Sequence, residues 1–305
     1  MKPITVRGVR SVDIEMSEPE RAAEFYAKIW NLAEVDRKET SIWLRGTGHY
    51  HHILGIHKSE SAAALRRITF DAGDRDTVDQ LHRKVIDSGC ASEAPREIDA
   101  PGGGYGFGFA DVENRNLAIV CDVHDHDHGD KADIADRPRK IAYVNINAAQ
   151  LERTNRFLTE VLGLRCVDQS GPLHFFHCDN TDHSSVVTGK AATPTLNHVS
   201  FELPDLESCM RGGGRMREAG YPIEWGPGRH GAGNNVFCYF AGPEEFPIEY
   251  TAEVLQIDET YQFHGPDYWK WPPGRLDQWG ITPPHTARWK RIQDLVLFTA
   301  GKYRL

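Results

Sequence analysis

No stretch of this sequence approaches the roughly 20 consecutive apolar residues that a membrane-crossing helix needs. The opening residues, MKPITVRGVRSVDIEM, hold no apolar run of signal-peptide length either. No C-x-x-C pair occurs. The six cysteines (Cys90, Cys121, Cys166, Cys178, Cys209, Cys238) are scattered, which argues against a disulfide framework and for reduced thiols. No basic stripe is present: 35 Lys and Arg stand against 44 Asp and Glu, a net charge of −9. Nucleic acid is therefore not an expected partner. GGGYGFG from Gly102 has no helix or Lys-Ser/Thr after it, so it is not a phosphate loop. No G-x-S-x-G elbow is found. These absences describe a protein expected to be cytoplasmic, with no membrane or nucleic-acid partner.

What is present is repetition. SVDIEMSEPERAAEFY from Ser11 falls on YVNINAAQLERTNRFL from Tyr143, and RITFDAGDRD from Arg67 falls on HVSFELPDLE from His198. DVENRNLAI, ending near Ala118, falls on GPEEFPIEY, ending near Glu249. Ser11 to Arg67 spans 56 residues and Tyr143 to His198 spans 55, while Arg67 to Ala118 and His198 to Glu249 each span 51. Ser11, Arg67 and Ala118 cannot form a metal site. Tyr143, His198 and Glu249 offer donor atoms. Chemistry is thus expected in the second copy only.

Each copy reads as strand and helix, short strands, then strand, helix and closing hairpin. A helix is expected over Pro19–Leu32, with Ser17 and Glu20 at capping-box spacing. A hairpin is expected to turn near Glu113 and Asn114. RGGGR from Arg211 lies in a helical pattern and is expected to bend or interrupt it. HDHDHGDKADIADRPRK, from His124, is polar and aperiodic, so it reads as a linker. Its His124, Asp125, His126, Asp127 and His128 resemble a metal tract by composition, but a flexible tract fixes no coordination geometry. The chain after Gln256 holds Trp269, Trp271, Trp279 and Trp289, with a short helix expected over Ala287–Phe298. It reads as an ordered arm over the second half, able to cover an active-site mouth. The divisions expected are 1–123, a linker 124–139, 140–255, and an arm 256–305.

Glu249 lies between Ile248 and Tyr250, so strand alternation turns it away from both. A carboxylate facing a sheet interior is costly unless paired, and a cation would remove that cost. His198 sits in an apolar strand, where a lone histidine is commonly a satisfied core residue. His183 lies in a polar tract, CDNTDHSS, and His230 in a Gly-rich loop, GPGRHGAGNN, where functional groups are often positioned. Tyr239 has core-like neighbours in Phe237 and Phe240.

Together, HFFHCDNTDHSSVV, LNHVSFEL, GRHGAGNNVFCYF and FPIEY resemble the vicinal oxygen chelate superfamily. Within it the likeness is to the two-domain type I extradiol ring-cleaving dioxygenases. It covers about residues 5–255, weakly in the first half. It implies an α+β fold of two tandem domains, each of paired βαβββ modules in an open, barrel-like sheet. It also implies His183 as the catalytic acid–base group, His230 and Tyr239 as active-site groups, and His198 and Glu249 as metal ligands. The substrate implied is a catechol-like aromatic with O₂, in a homo-oligomer. Two histidines and a carboxylate suit non-haem Fe(II), with Mn(II) or another divalent metal as alternatives. Here Tyr143 stands where the first metal histidine should be. Either it ligates as a phenolate, or His183 or His230 takes that place, or the site holds no tightly bound metal. A different metal-assisted isomerase, lyase or hydrolase, a metal-free oxygenase, and a sequestering binding protein remain the competing functions.

Overall fold

The computed structural model describes residues 4–126 and 136–305. Asp127 and His128 of the histidine tract lie outside the described residues. The first half runs β1 (Gly8–Met16), α1 (Pro19–Lys28), β2 (Ala33–Lys38), β3 (Ser41–Arg45), β4 (Leu54–Lys58), β5 (Ala64–Asp71), α2 (Arg75–Asp87), β6 (Arg96–Glu97), β7 (Tyr105–Ala110) and β8 (Asn116–Cys121). The second runs β9 (Lys140–Ala148), α3 (Leu151–Arg156), a π-turn at Phe157–Val161, β10 (Arg165–Ser170), β11 (Leu173–His177), β12 (Val186–Lys190), β13 (Thr195–Glu202), α4 (Leu206–Glu218), β14 (Trp225–Arg229), β15 (Val236–Ala241) and β16 (Pro247–Ala252). The arm adds α5 (Ala287–Ile292) and β17 (Val296–Phe298). Among the described residues no helix is long and apolar enough to cross a membrane.

The repetition in sequence becomes repetition in pairing. β1 lies antiparallel to β5 and parallel to β4, and β5 lies parallel to β8. In the same way β9 lies antiparallel to β13 and parallel to β12, and β13 lies parallel to β16. Hairpins complete each half. The result is an open, α+β sheet structure whose central strands, among them β1, β8, β9, β15 and β16, are buried almost throughout, while no residue of β2 or β6 is buried. The arm then ties the halves together: β17 pairs antiparallel with β13 and parallel with β5.

Four local expectations change. The helix α1 stops at Lys28, and Asn31 adopts a left-handed φ of 68° just beyond it. Ser17 and Glu20 form no capping box. The backbone N–H groups of Ser17 and Glu18 instead donate to the Glu244 carboxylate, each at 3.1 Å, so a side chain from the second half supplies the acceptor. The glycines after Arg211 do not interrupt α4. A Cβ at Gly212 would sit 2.9 Å from the Tyr250 ring, so glycine lets the helix approach the sheet. The helix expected to Phe298 ends at Ile292, and the residues beyond it become β17 because two strand edges are open to them.

The core also crosses between halves. Trp30, fully buried, stacks on Tyr250 with ring centroids 3.6 Å apart and meets Phe201 and Phe240 edge-on. The Tyr250 hydroxyl donates to the Trp30 carbonyl at 2.9 Å. Trp30→Ala is therefore expected to destabilise the whole molecule, not one half, by about 3–5 kcal/mol. A urea titration followed by far-UV circular dichroism would show it. A loss under ~1 kcal/mol would mean that the stacked pair contributes little.

Candidate active site

Register builds the site. Directly opposed residues on neighbouring strands share a face. Tyr143 on β9 opposes Ser200 on β13, Ser200 opposes Glu249 on β16, Glu249 opposes Tyr239 on β15, and Tyr239 opposes Trp225 on β14. One row across five strands thus carries two phenols and a carboxylate. His198 and Asn145 face each other two residues along on the same face. The matching row in the first half is Ser11, Thr69, Ala118 and Gly108. It carries no carboxylate, imidazole or phenol, and Arg67 there is tied to Asp13 at 3.2 Å.

At the floor of the second-half row, Glu249 is completely buried. The Tyr143 hydroxyl donates to its Oε2 at 2.6 Å. His198 Nε2 lies 3.3 Å from the same oxygen, within ion-pair reach, yet no hydrogen bond is aligned between them. Glu249 Oε1 also has no hydrogen-bond partner, and His230 Nε2 stands 3.9 Å from it. His198 Nδ1 donates to Asn197 Oδ1 at 2.8 Å, which leaves a lone pair on Nε2 facing a carboxylate. Two lone-pair donors converging in a buried place, one of them oriented from behind by a hydrogen bond, are what a cation site requires. Among the described residues no group of three His, Cys, Asp or Glu side chains stands ready to hold a metal. The Tyr143 phenol lies beside His198 and Glu249. Burial, reinforced by Glu249, pushes its pKa well above 10, so without a cation it keeps its proton.

His230 and Tyr239 form a second pair. His230 Nε2 and the Tyr239 hydroxyl are 2.8 Å apart, and the imidazole stacks on Phe237 at 4.1 Å. Burial pulls the His230 pKa down to about 4 despite the opposing pull of Glu249, so the ring is neutral at pH 7. Burial also holds the Tyr239 phenol protonated. The sign for stability follows. The unfolded chain binds a proton near pH 6.5 and the folded chain does not until about pH 4, so stability falls as the pH drops from 6.5 to 4. The ring is about one-fifth exposed, so the effect falls short of the roughly 3 kcal/mol that full burial would give. Urea midpoints at pH 6.5 and 4.5 are expected to converge in His230→Gln relative to wild type. Equal slopes in the two proteins would place the shift elsewhere.

A cavity of about 320 Å³ opens above this floor. Tyr143, His198, His230 and Tyr239 line it, together with Asn145, whose buried Oδ1 has no partner, and Ser184. Its walls are aromatic and aliphatic, including Leu173, Phe175 and Trp225. Trp271, Leu276, His285, Trp289 and Gln293 all come from the arm, which therefore closes over the mouth. A larger groove of about 730 Å³ runs between the halves past Arg7, Arg139, Asp179 and Glu202. It touches none of the residues on the row, and its mixed charges lack the convergent donors.

The row and the loop after β14 bring together Tyr143, His198, His230, Tyr239 and Glu249. His183 stands apart. It is fully buried, does not line the cavity, and pairs through Nε2 with Asp168 Oδ2 at 2.8 Å. Asp168 also receives the Tyr261 hydroxyl at 3.0 Å and the His264 backbone N–H at 3.1 Å. The adjacent Ser184 faces the cavity instead. Asn145 was within reach of the sequence, since it shares a strand face with Tyr143. Ser184 and His285 carried no signal, because loop residues follow no period, and Asp168 lies on β10 beside a register shift that breaks the strand's alternation.

The family model described as the Glyoxalase/Bleomycin resistance protein/Dioxygenase superfamily matches residues 140–250, the half that carries the row. The chain is similar to metapyrocatechase 2 of Cupriavidus necator, with 30% identity over 155 residues, 48% of this chain and 46% of that protein. It thus spans about half the length of that relative. Over 287 residues, 81% of this chain and 90% of the relative, it is 22% identical to a manganese-dependent 2,3-dihydroxybiphenyl 1,2-dioxygenase of Geobacillus genomosp. 3. The solved structure of a Mn(II)-bound glyoxalase from Novosphingobium aromaticivorans superposes with a TM-score of 0.86 at 30% identity, covering 98% of this chain and 99% of that one.

Proposed function

Because this chain belongs to the glyoxalase/bleomycin resistance protein/dioxygenase superfamily, we propose that it is a metal-dependent enzyme of the extradiol type, acting on catechol-like aromatics with O₂. The observation that carries the proposal is that His198 Nε2 and Glu249 Oε1 are both buried without hydrogen-bond partners beneath an aromatic-walled cavity, with His198 Nε2 3.3 Å from the other Glu249 oxygen. The names of two relatives, a metapyrocatechase and a dihydroxybiphenyl dioxygenase, support the same chemistry. His198, Glu249 and Tyr143 would hold the cation. Imidazole and carboxylate suit Fe(II) and Mn(II) alike, and manganese appears in the names of two similar proteins.

When bound, the cation supplies a Lewis-acidic centre that polarises vicinal oxygens and lowers the pKa of a diol. The protein's own residues do the remainder. The aromatic walls orient a flat ring and exclude water. Neutral His230 accepts a proton from a substrate hydroxyl, and the Tyr239 phenol donates a hydrogen bond to the oxygen left behind. Asn145 Oδ1 accepts from a second hydroxyl. His183, held by Asp168 behind the wall, acts as a positioning residue for the loop that presents Ser184. Direct acid–base duty thus passes from His183 to His230. The proposed functional division is 140–255 for chemistry, 1–123 as a non-catalytic partner, 124–139 as linker, and 256–305 as roof.

The test is oxygen uptake by metal-reconstituted protein with a panel of catechols. One O₂ consumed per diol lost is the expected stoichiometry. One observation favours a second reading, a metal-assisted isomerase or lyase: the chain is 30% identical, over 98% of its length, to a structure named a glyoxalase. That chemistry consumes no oxygen, so diol binding without uptake by Fe(II)- or Mn(II)-loaded protein would select it.

A further inference from the structure

We propose that the substrate is an uncharged catechol with an apolar substituent, and that the cavity rejects catechols bearing a carboxylate. The proposal rests on the catechol reading above and adds the substrate's charge to it. Among the described residues no lysine, arginine, aspartate or glutamate lines the cavity. The cationic side chains on the surrounding segments are turned to other partners. Arg229 donates to the Asn234 carbonyl at 2.7 Å and pairs with Glu253. Arg288 pairs with Glu224 at 3.2 Å. Arg275 lies over the Trp271 ring, 5.8 Å from its centroid, and donates to the Asp277 carbonyl.

The histidines do not compensate. His230 is engaged with the Tyr239 hydroxyl at 2.8 Å, and His285, its pKa lowered by burial, packs edge-on against Trp225 with ring centroids 4.2 Å apart. The remaining donors on the wall, among them Ser170, Asn235, Gln293 and the Trp225, Trp271 and Trp289 indoles, are neutral, and Leu173, Phe175, Val187 and Leu276 offer none. Charge counting agrees. With the Tyr143 phenolate and Glu249 both bound to it, a divalent cation would leave no net positive charge at the floor, and an ionised diol would bring only a negative one. A ring carboxylate would then lie desolvated with no cationic partner.

The experiment measures binding apart from turnover. Trp225, Trp271 and Trp289 line the cavity, so anaerobic quenching of tryptophan fluorescence in Mn(II)-loaded protein reports occupancy. The probes are catechol, 4-methylcatechol and 2,3-dihydroxybiphenyl against 3,4-dihydroxybenzoate and 3,4-dihydroxyphenylacetate, with phenol and 2-phenylphenol as controls lacking the second hydroxyl. Neutral diols are expected to bind at least about 100-fold more tightly than carboxylated ones. Leu173→Arg should shrink that ratio by about tenfold or more, and Leu276→Arg, at a half-exposed position, serves should the first variant not fold. Equal or tighter binding of the carboxylated diols overturns the charge inference and leaves the catechol reading standing. Binding of the monophenols with no preference for diols overturns the catechol reading, and this proposal with it.

Discussion

Glu249→Gln is expected to remove divalent-metal binding and to lower turnover by more than about 100-fold, the upper end of what loss of a mere supporting partner of a metal ligand brings. The same change is expected to leave the metal-free protein at least as stable as wild type. These opposite signs come from one fact: the carboxylate is completely buried, and one of its oxygens has no hydrogen-bond partner. Without a cation it is an uncompensated buried charge, which costs stability. Gln keeps an acceptor for the Tyr143 hydroxyl and adds a donor beside the His198 lone pair. With a cation, wild type gains stability by mass action, as RT ln(1 + [M]/Kd), and the variant does not. Thermal unfolding with and without Mn(II) reads both effects. A metal-dependent rise in Tm that survives in Glu249→Gln would remove Glu249 from the site.

The proposed ligand role of Tyr143 is read through its proton. Its phenol sits 2.6 Å from Glu249 Oε2, and burial keeps it protonated well beyond pH 10. Ligation must therefore expel a proton, and apparent metal affinity should rise about tenfold per pH unit between pH 6.5 and 8.5. Titration calorimetry in buffers of different ionisation enthalpy counts the protons released. Tyr143→Phe is expected to lose both the slope and the visible phenolate band of the ferric protein. Tyr143→His supplies a donor with a pKa near 6.5, so its slope should flatten above pH 7 and its Fe(II) affinity at pH 7 should exceed wild type by at least about tenfold. A wild-type slope of zero would make Tyr143 a hydrogen-bond donor to substrate instead of a ligand.

The duplicated spacing revealed the two-copy architecture because strand alternation and the 51-residue interval survive as pattern even where side chains diverge. Glu249, His198 and Tyr143 were legible for the same reason: each sits on a strand, where periodicity assigns a face. His183 and Ser184 were not separable, since they lie between β11 and β12 where no period applies, and a one-residue step exchanges cavity for interior. The Ser17–Glu20 spacing failed as a cap because a distant carboxylate, Glu244, took the backbone donors first. The aromatic arm was legible as composition. Its path was not, because β17 is defined by the strand edges it joins more than by its own three residues.

That short strand sets an order of events. Its partners β5 and β13 belong to different halves, and further along the tail the Tyr303 carbonyl fills the space beside Gly108, the first-half counterpart of Tyr239. The tail has nowhere to dock until both sheets exist and have met. Such long-range pairing forms late, after the entropy of closing the intervening chain has been met. Trp271, Leu276 and Trp289 precede the strand on the same segment, so the roof is fastened only when the last contact closes. A nascent or half-folded chain would expose its donors beneath an open chamber, and reactive chemistry would begin only in finished molecules.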